Sequence, residues 1–581
     1  MASRRAAKLL GVFVCLILGS CPVSAQVAGL QDPTFSQLNA LVAKEPAAAL
    51  LEIQTILAQP ETAANPRLVI DLNRLAADLL IDQGRHAEAG KLLEQIGQFA
   101  ARNRERLDTD PIPVWRKAVA QYEAAGDPQA ALRVQAVLVQ DLRDAGLNGS
   151  ALSEALIKMS DLARATGNAE AAAQLAAAAE TALQPFIDEG GARGAGEGFS
   201  RVEVFYATDR ARSGDSYPGD FYGYGRGPLD YGTLQVTVPD SHVPGAIESP
   251  SVWRLEFGPT ASKHIILRSI TPVPKDAFFA KMQDSVASRP HKEVFVFIHG
   301  YNVSFEAAAL RAAQLTHDMN YSGVPVLYSW PSQGSTLGYI ADTAVVQLSA
   351  RHLTLFLEDI VAQSGATTIN IVAHSMGNRA LTEALELMAL RDGQRDGMKP
   401  PFDQVIFAAP DVDAGLFAAM IPTIRPLARR LTLYASENDW ALITSRQLHG
   451  DAPRAGQGGA DTLALPTIDS VDMSELGDDM LAHSYFASDS SALVDLVALF
   501  WQNLPPEKRC GLERVAANGA LAVWRYVRNT CPENAVLAVI DTLRQEGRSS
   551  PADARRIVAQ VVPDPVMAKT VEPFVMRMLT P

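Results

Sequence analysis

A dense Lys/Arg run is missing from these 581 residues, and the formal net charge is -14. Phosphate backbones are held by concentrated basic surfaces, so a nucleic-acid partner is excluded. Beyond the opening residues no apolar stretch is long enough to span a bilayer. Neither a His-Glu-x-x-His pair nor a Gly-rich phosphate loop occurs, so no metal and no cofactor are expected. Cysteine is scarce, at four residues. Cys15 and Cys21 fall in the opening segment, which leaves Cys510 and Cys531 for the body of the chain. Paired in an oxidising compartment, these two would close a loop of roughly 20 residues and add about 3 kcal/mol through loop entropy. Unpaired, they are two small core residues.

What is present is a globular composition, 48% apolar and 20% charged, in a chain long enough for several domains. Residues 1–25 read as an export signal. Arg4, Arg5 and Lys8 form a basic start, 9–18 is a short apolar run, and Val23-Ser24-Ala25 is a small-residue cleavage site. The expected location is therefore periplasmic or secreted. Lipidation at Cys21, in Leu18-Gly19-Ser20-Cys21, competes with simple cleavage. Only lipidation or an uncleaved signal would tie the chain to a membrane.

Residues 26–188 are Ala- and Leu-rich and read as helical. Gly84, Gly126 and Gly167 recur between helical segments, each just before a short Ala-rich start. This resembles degenerate tetratricopeptide-type hairpins, with two readings: a surface that docks a protein partner, or a helical cap. Glycines crowd residues 189–200, read as a linker. Short β-rich runs follow at 202–206, 233–238, 252–257 and 265–270, with Tyr222-Gly223-Tyr224-Gly225 read as a turn. Strands then alternate with helices: 293–298, 324–329, 368–373, 404–408 and 431–435 as strands, 304–318 and 348–363 as helices. A last strand is expected near 467–471. Such alternation predicts an α/β fold, a mainly parallel sheet with helices on both faces, over residues 201–504. Residues 505–581 read as a small helical region, including 521–527.

The chain is organised around residues 368–380. A buried strand leads into Ala373-His374-Ser375-Met376-Gly377, and an apolar helical face follows. This is the nucleophile-elbow pattern, with Ala373 where Gly is usual. Small neighbours let a strained turn lift the serine side chain clear of the backbone, and an exposed hydroxyl is expected there. An activated serine needs a base and an orienting acid, in the chain order Ser, acid, His. His483 is the expected base, with His449 the alternative. Asp439 is the expected acid, with Asp411 and Asp413 as alternatives that also suit loop or helix caps. The backbone amides of Met376 and Tyr301 are expected to form the oxyanion hole. The Gly-rich segment 449–461, between acid and base, reads as a mobile flap or a floppy surface loop.

The stretches Val296-Phe297-Ile298-His299-Gly300-Tyr301-Asn302, Tyr328-Ser329-Trp330-Pro331-Ser332, Ala373 to Arg379 and Ala408-Ala409-Pro410-Asp411-Val412-Asp413 together resemble a bacterial α/β-hydrolase family of unknown function, related to serine esterases and lipases. The resemblance implies an α/β-hydrolase fold and hydrolysis of esters by a serine. The expectation is an exported serine hydrolase acting on a small-molecule or lipid-like ester. Two alternatives stand beside it: an envelope scaffold that binds partners through its helical repeats, and an amide or thioester hydrolase using the same triad.

Overall fold

The computed structural model describes residues 38, 41–42, 45–59, 62, 66–102, 111–144, 149–183, 198–215, 217–250, 259–332, 339–392, 399–476, 490–516, 521–546, 548 and 550–579. The chain divides into two compact units, Met1–Asp144 with Ala151–Glu180, and Ala145–Ser150 with Thr181–Pro581. The signal segment 1–25 and the expected strand 252–257 lie outside the described residues.

The first unit is built of helices α1 (Pro46–Leu57), α2 (Pro66–Asp82), α3 (His86–Arg102), α4 (Ile112–Ala124), α5 (Pro128–Asp144), α6 (Gly149–Ala165) and α7 (Ala169–Leu183). Three of its turns are copies of one another. Gly84, Gly126 and Gly167 have φ of +71, +72 and +85°. Each glycine N–H reaches back three residues and the next N–H reaches back five, as in Gly126 to Glu123 O and Asp127 to Tyr122 O. That is the Schellman closure, which needs a left-handed residue at its centre and so selects glycine. Asp127 and Asn168 then cap the following helix by accepting from Ala130 and Ala171 N–H. The unit is thus helical and repeat-like. Trp115 packs where Gly97 leaves room: a Cβ on Gly97 would stand 2.6 Å from the indole.

The second unit holds one eleven-stranded sheet, in the order β10-β11-β9-β8-β7-β6-β4-β5-β1-β2-β3. The strands are β1 (Phe199–Arg212), β2 (Tyr222–Pro239), β3 (Ile266–Pro272), β4 (Glu293–Ile298), β5 (Val324–Ser329), β6 (Thr368–His374), β7 (Phe402–Ala408), β8 (Ala428–Ala435), β9 (Asp469–Asp472), β10 (Leu512–Ala516) and β11 (Ala522–Tyr526). From β1 through β5, β4, β6, β7, β8 and β9 to β11, neighbours run parallel. Alternate side chains of each central strand enter two separate cores. Val294, Val296 and Ile298 of β4, with Ile369, Ile371 and Ala373 of β6, face α8 (Lys275–Ala287), α10 (Tyr339–Gln363) and α11 (Gly377–Asp392). Phe295, Phe297 and Val372 face α9 (Phe305–Asp318) and α14 (Ser490–Gln502). Burial on both faces explains why these strands read as continuous apolar runs. Each such side chain contributes about 1.5–3 kcal/mol of burial.

Four expectations are corrected here. Residues Tyr222 to Gly225 are not a turn but the start of β2, where Arg212 pairs with Tyr222 across an irregular stretch of ladder. Phe199 and Ser200, placed in the linker, already belong to β1 and pair with Pro239 and Val238. Residues 521–527 are not helical. They form β11, which joins β10 in a hairpin and lies parallel beside β9, Trp524 opposite Val471. The strand at 469–472 is accordingly not the last. Helices α15 (Glu533–Gln545), α16 (Pro551–Val561) and α17 (Pro565–Leu579) then close the chain against the face that carries α14. Cys510 and Cys531, both buried, are bonded to each other and tie the hairpin's entrance to the start of α15.

Candidate active site

In an open parallel sheet, groups at the carboxyl ends of the strands converge where the strand order reverses. Here the chain runs from β4 outward to β5, then returns to the other side of β4 as β6. The crevice at this switch is flanked by the loop after β4 and the turn after β6. Ser375 is that turn. Its φ is +51°, a left-handed conformation that costs a non-glycine residue about 1–3 kcal/mol and persists only when its surroundings hold it. Asn302 in the β4 loop (+56°) and Ala409 after β7 (+45°) share this conformation.

The surroundings that hold the turn are specific. Ser375 N–H donates to Ala408 O at 2.9 Å, and Asp411 N–H donates to Ser375 O at 3.3 Å. The buried Asn378 amide donates to Ala373 O (3.2 Å), Ser375 O (3.1 Å) and Ala408 O (3.0 Å), stapling both sides of the bend to β7. Gly377 has no room for a side chain: a Cβ there would sit 2.3 Å from His299 O. At Gly300 a Cβ would stand 3.0 Å from both Ser375 Cβ and His374 Nδ1. The β4 loop therefore touches the elbow backbone to backbone. No acceptor among the described residues takes the Met376 N–H, which opens α11 beside the serine. Contrary to the expectation of an exposed hydroxyl, Ser375 is only 2% exposed. The β4 loop that must approach its backbone also covers it.

The β4 loop is fixed by residues to which sequence reasoning assigned no role. Trp330 stacks on the His299 ring (centroids 5.4 Å apart) and donates its indole N–H to His299 O at 2.8 Å. The His299 Nδ1 lies 2.7 Å from Gly300 O, so it carries the proton. Nε2 then accepts from Ser329 Oγ at 3.0 Å. Burial and the neighbouring Arg210 push the His299 pKa down to about 3, so the ring is neutral. Arg210, at the end of β1, is fully buried and donates to Ser329 Oγ, Gly223 O, Ser332 O and Val303 O. Burial lowers its pKa to about 10, which leaves it charged at neutral pH. One guanidinium thus joins β2, the β4 loop and the end of β5.

The expected acids separate by what they already hold. Asp439, buried, caps α13 (Trp440–Leu448) by accepting Leu442 N–H through Oδ1. It follows β8, two strands across from the elbow. Asp411 is tied to Arg379 Nη2 at 3.0 Å, to Arg454 Nε at 3.7 Å and to the Ser445 hydroxyl. Asp413 caps α12 (Ala414–Ile424) by accepting Leu416 N–H. His449 closes α13, with Nδ1 2.8 Å from Ser445 O. The nine-residue helix between them sets it about 15 Å from Asp439 along the axis. His483 lies outside the described residues, in the stretch that joins β9 to α14. Segment 449–461 is anchored at its middle. Ala455 N–H bonds Val412 O, Gly456 N–H bonds Pro410 O, and Gly456 O accepts from Ser436 N–H. Its glycines serve close approach, since a Cβ at Gly456 would be 2.6 Å from the Ala409 carbonyl carbon.

A mainly parallel sheet covered on both faces by helices, with the turn after β6 at its switch point, is the α/β-hydrolase fold. Residues 274–499 match the family described as Alpha/beta hydrolase of unknown function (DUF900). No curated protein and no solved structure matches the chain.

Proposed function

We propose that the chain is an exported serine hydrolase that cleaves carboxylic esters. The observation that carries this is the left-handed Ser375, held at the strand-order switch with the β4 loop packed against it. In the proposed reaction, Ser375 Oγ attacks the ester carbonyl while His483 takes its proton. The Met376 and Tyr301 amides bind the oxyanion. Collapse of the tetrahedral intermediate expels the alcohol, which leaves with the proton from His483. Water, activated by the same imidazole, then releases the acid and restores the serine. Asp439 orients the imidazole and balances its charge. Its place after β8 and the prior commitment of Asp411 to two arginines support that choice. The Cys510–Cys531 bond supports an oxidising compartment.

Fluorophosphonate labelling of the purified protein tests the assignment. Wild type is expected to label and Ser375→Ala to remain unlabelled. A compact reagent should label faster than a bulky one, because Ser375 is nearly covered. The repeated turns of the first unit support a second reading, a docking module. A folded wild-type protein that takes no label would overturn the enzyme and leave that reading standing.

A further inference from the structure

A second cluster of chemically able side chains lies at the opposite edge of the sheet. Helix α9 carries the chain from the carboxyl end of β4 back to the amino end of β5, and His317 and Asp318 are its last two residues. The segment after β2 brings His242 and Glu248 to the same place. His242 Nε2 is 2.6 Å from Asp318 Oδ1, and His317 Nδ1 is 3.5 Å from that same oxygen. One donor atom each from His242, His317 and Asp318 lies within 4.8 Å of the others. Asp318 Oδ2 is occupied by Gly245 N–H at 2.6 Å and by the Gln314 amide, so Oδ1 is the oxygen turned toward the two imidazoles.

Two observations point beyond an ordinary hydrogen-bonded cluster. His317 Nδ1 is buried and makes no hydrogen bond, although the ring is otherwise half-exposed. His242 is held from behind, its Nδ1 lying 2.8 Å from Glu248 Oε2. A carboxylate behind the distal nitrogen is how a metal-ligating imidazole is fixed in orientation and made more basic. The charges agree. With both imidazoles neutral, Asp318 and Glu248 against the buried Arg311 guanidinium leave the cluster one negative charge. Arg311 itself braces the loop, through Gly245 O and Gln314 Oε1.

We propose that His242 Nε2, His317 Nδ1 and Asp318 Oδ1 form a zinc-class divalent metal site. Glu248 is its orienting second layer, and water completes the coordination. Two imidazoles and one carboxylate are a nitrogen-rich set that suits zinc over magnesium or calcium. The site pins the segment after β2 to the foot of α9, remote from Ser375, so its role is structural. Sequence reading saw no metal motif because the ligands come from two distant segments with no short spacing. The competing occupant is a second proton on His242, shared between the two carboxylates.

The test uses the full chain, stripped with chelator and titrated calorimetrically with zinc chloride. Cobalt chloride serves as a coloured substitute. The expected result is one saturable site per chain, a higher melting temperature with zinc, and visible d–d bands with cobalt. His317→Ala, at a half-exposed ring, should weaken binding at least tenfold while leaving the metal-free melting temperature unchanged. Glu248→Gln should weaken it by about 10–100-fold. No saturable binding overturns the proposal, as does zinc binding that survives His317→Ala. Fluorophosphonate labelling of Ser375 needs no metal, so failure here leaves the hydrolase reading untouched.

Discussion

Replacing Gly377 with alanine puts the contact between elbow and β4 loop to the question. The added Cβ would lie 2.3 Å from His299 O and 3.1 Å from Ile298 Cγ2. A close C···O contact needs about 3.3 Å, so the backbones must part by about 1 Å. Neither partner is free to give. Ser375 and Asn378 hold the elbow to Ala408, and Trp330 holds the His299 carbonyl. Forcing one carbon into a packed core costs about 1–3 kcal/mol. The larger effect falls on chemistry, because the Tyr301 amide rides on the displaced loop. A misplacement of about 1 Å costs on the order of 10²-fold in rate. The expected outcome for Gly377→Ala is a folded protein with melting lowered by a few degrees, and labelling and p-nitrophenyl ester turnover slowed about 100-fold. Gly225→Ala is the control: its Cβ meets only Ala211 Cβ, at 3.5 Å. If Gly377→Ala labelled at the wild-type rate, the β4 loop would play no part in the reaction.

Asn378→Ala removes the amide that serves three carbonyls, at a cost of about 1–3 kcal/mol by melting, with slower labelling in the folded fraction. Asp439→Asn and Asp411→Asn should part company. The first is expected to drop kcat by about 10⁴ with little change in melting. The second leaves Arg379 and Arg454 short of an anion and should cost about 3 kcal/mol of stability while retaining labelling per folded molecule. The neutral His299 predicts a pH dependence. Its folded pKa, about 3, lies below the ordinary 6.5. The unfolded chain therefore binds the extra proton first, and stability falls as pH drops from 6.5 toward 3. Chemical denaturation across that range should show a shallower decline in His299→Asn than in wild type; parallel curves would refute the assignment.

The strands around the elbow were legible because burial on both faces leaves continuous runs such as 293–298 and 368–373. The strained serine was legible because its geometry demands small neighbours. What escaped was set by tertiary contact. Residues 521–527 carry Ala and Leu, which favour helix, yet Val523, Trp524 and Arg525 find partners in β9 that only the fold supplies. Glycines at 456 and 458 read as looseness, but they mark backbones pressed together. Arg210 and Trp330 hold the site through atoms that no spacing rule connects. The acids shared one local signature, an Asp after a strand, and differ by their partners.

The matched segment 274–499 is not a free-standing body. On one flank β5 leans on β1, and on the other β9 leans on β11, both supplied from outside it. A fragment trimmed to those limits would present two raw ladders of unsatisfied amides and carbonyls, inviting chain-to-chain stacking. The hairpin clasped by Cys510 and Cys531 is a selvedge to this fabric, and trimming it away as a dispensable tail would leave the cloth to unravel into aggregates.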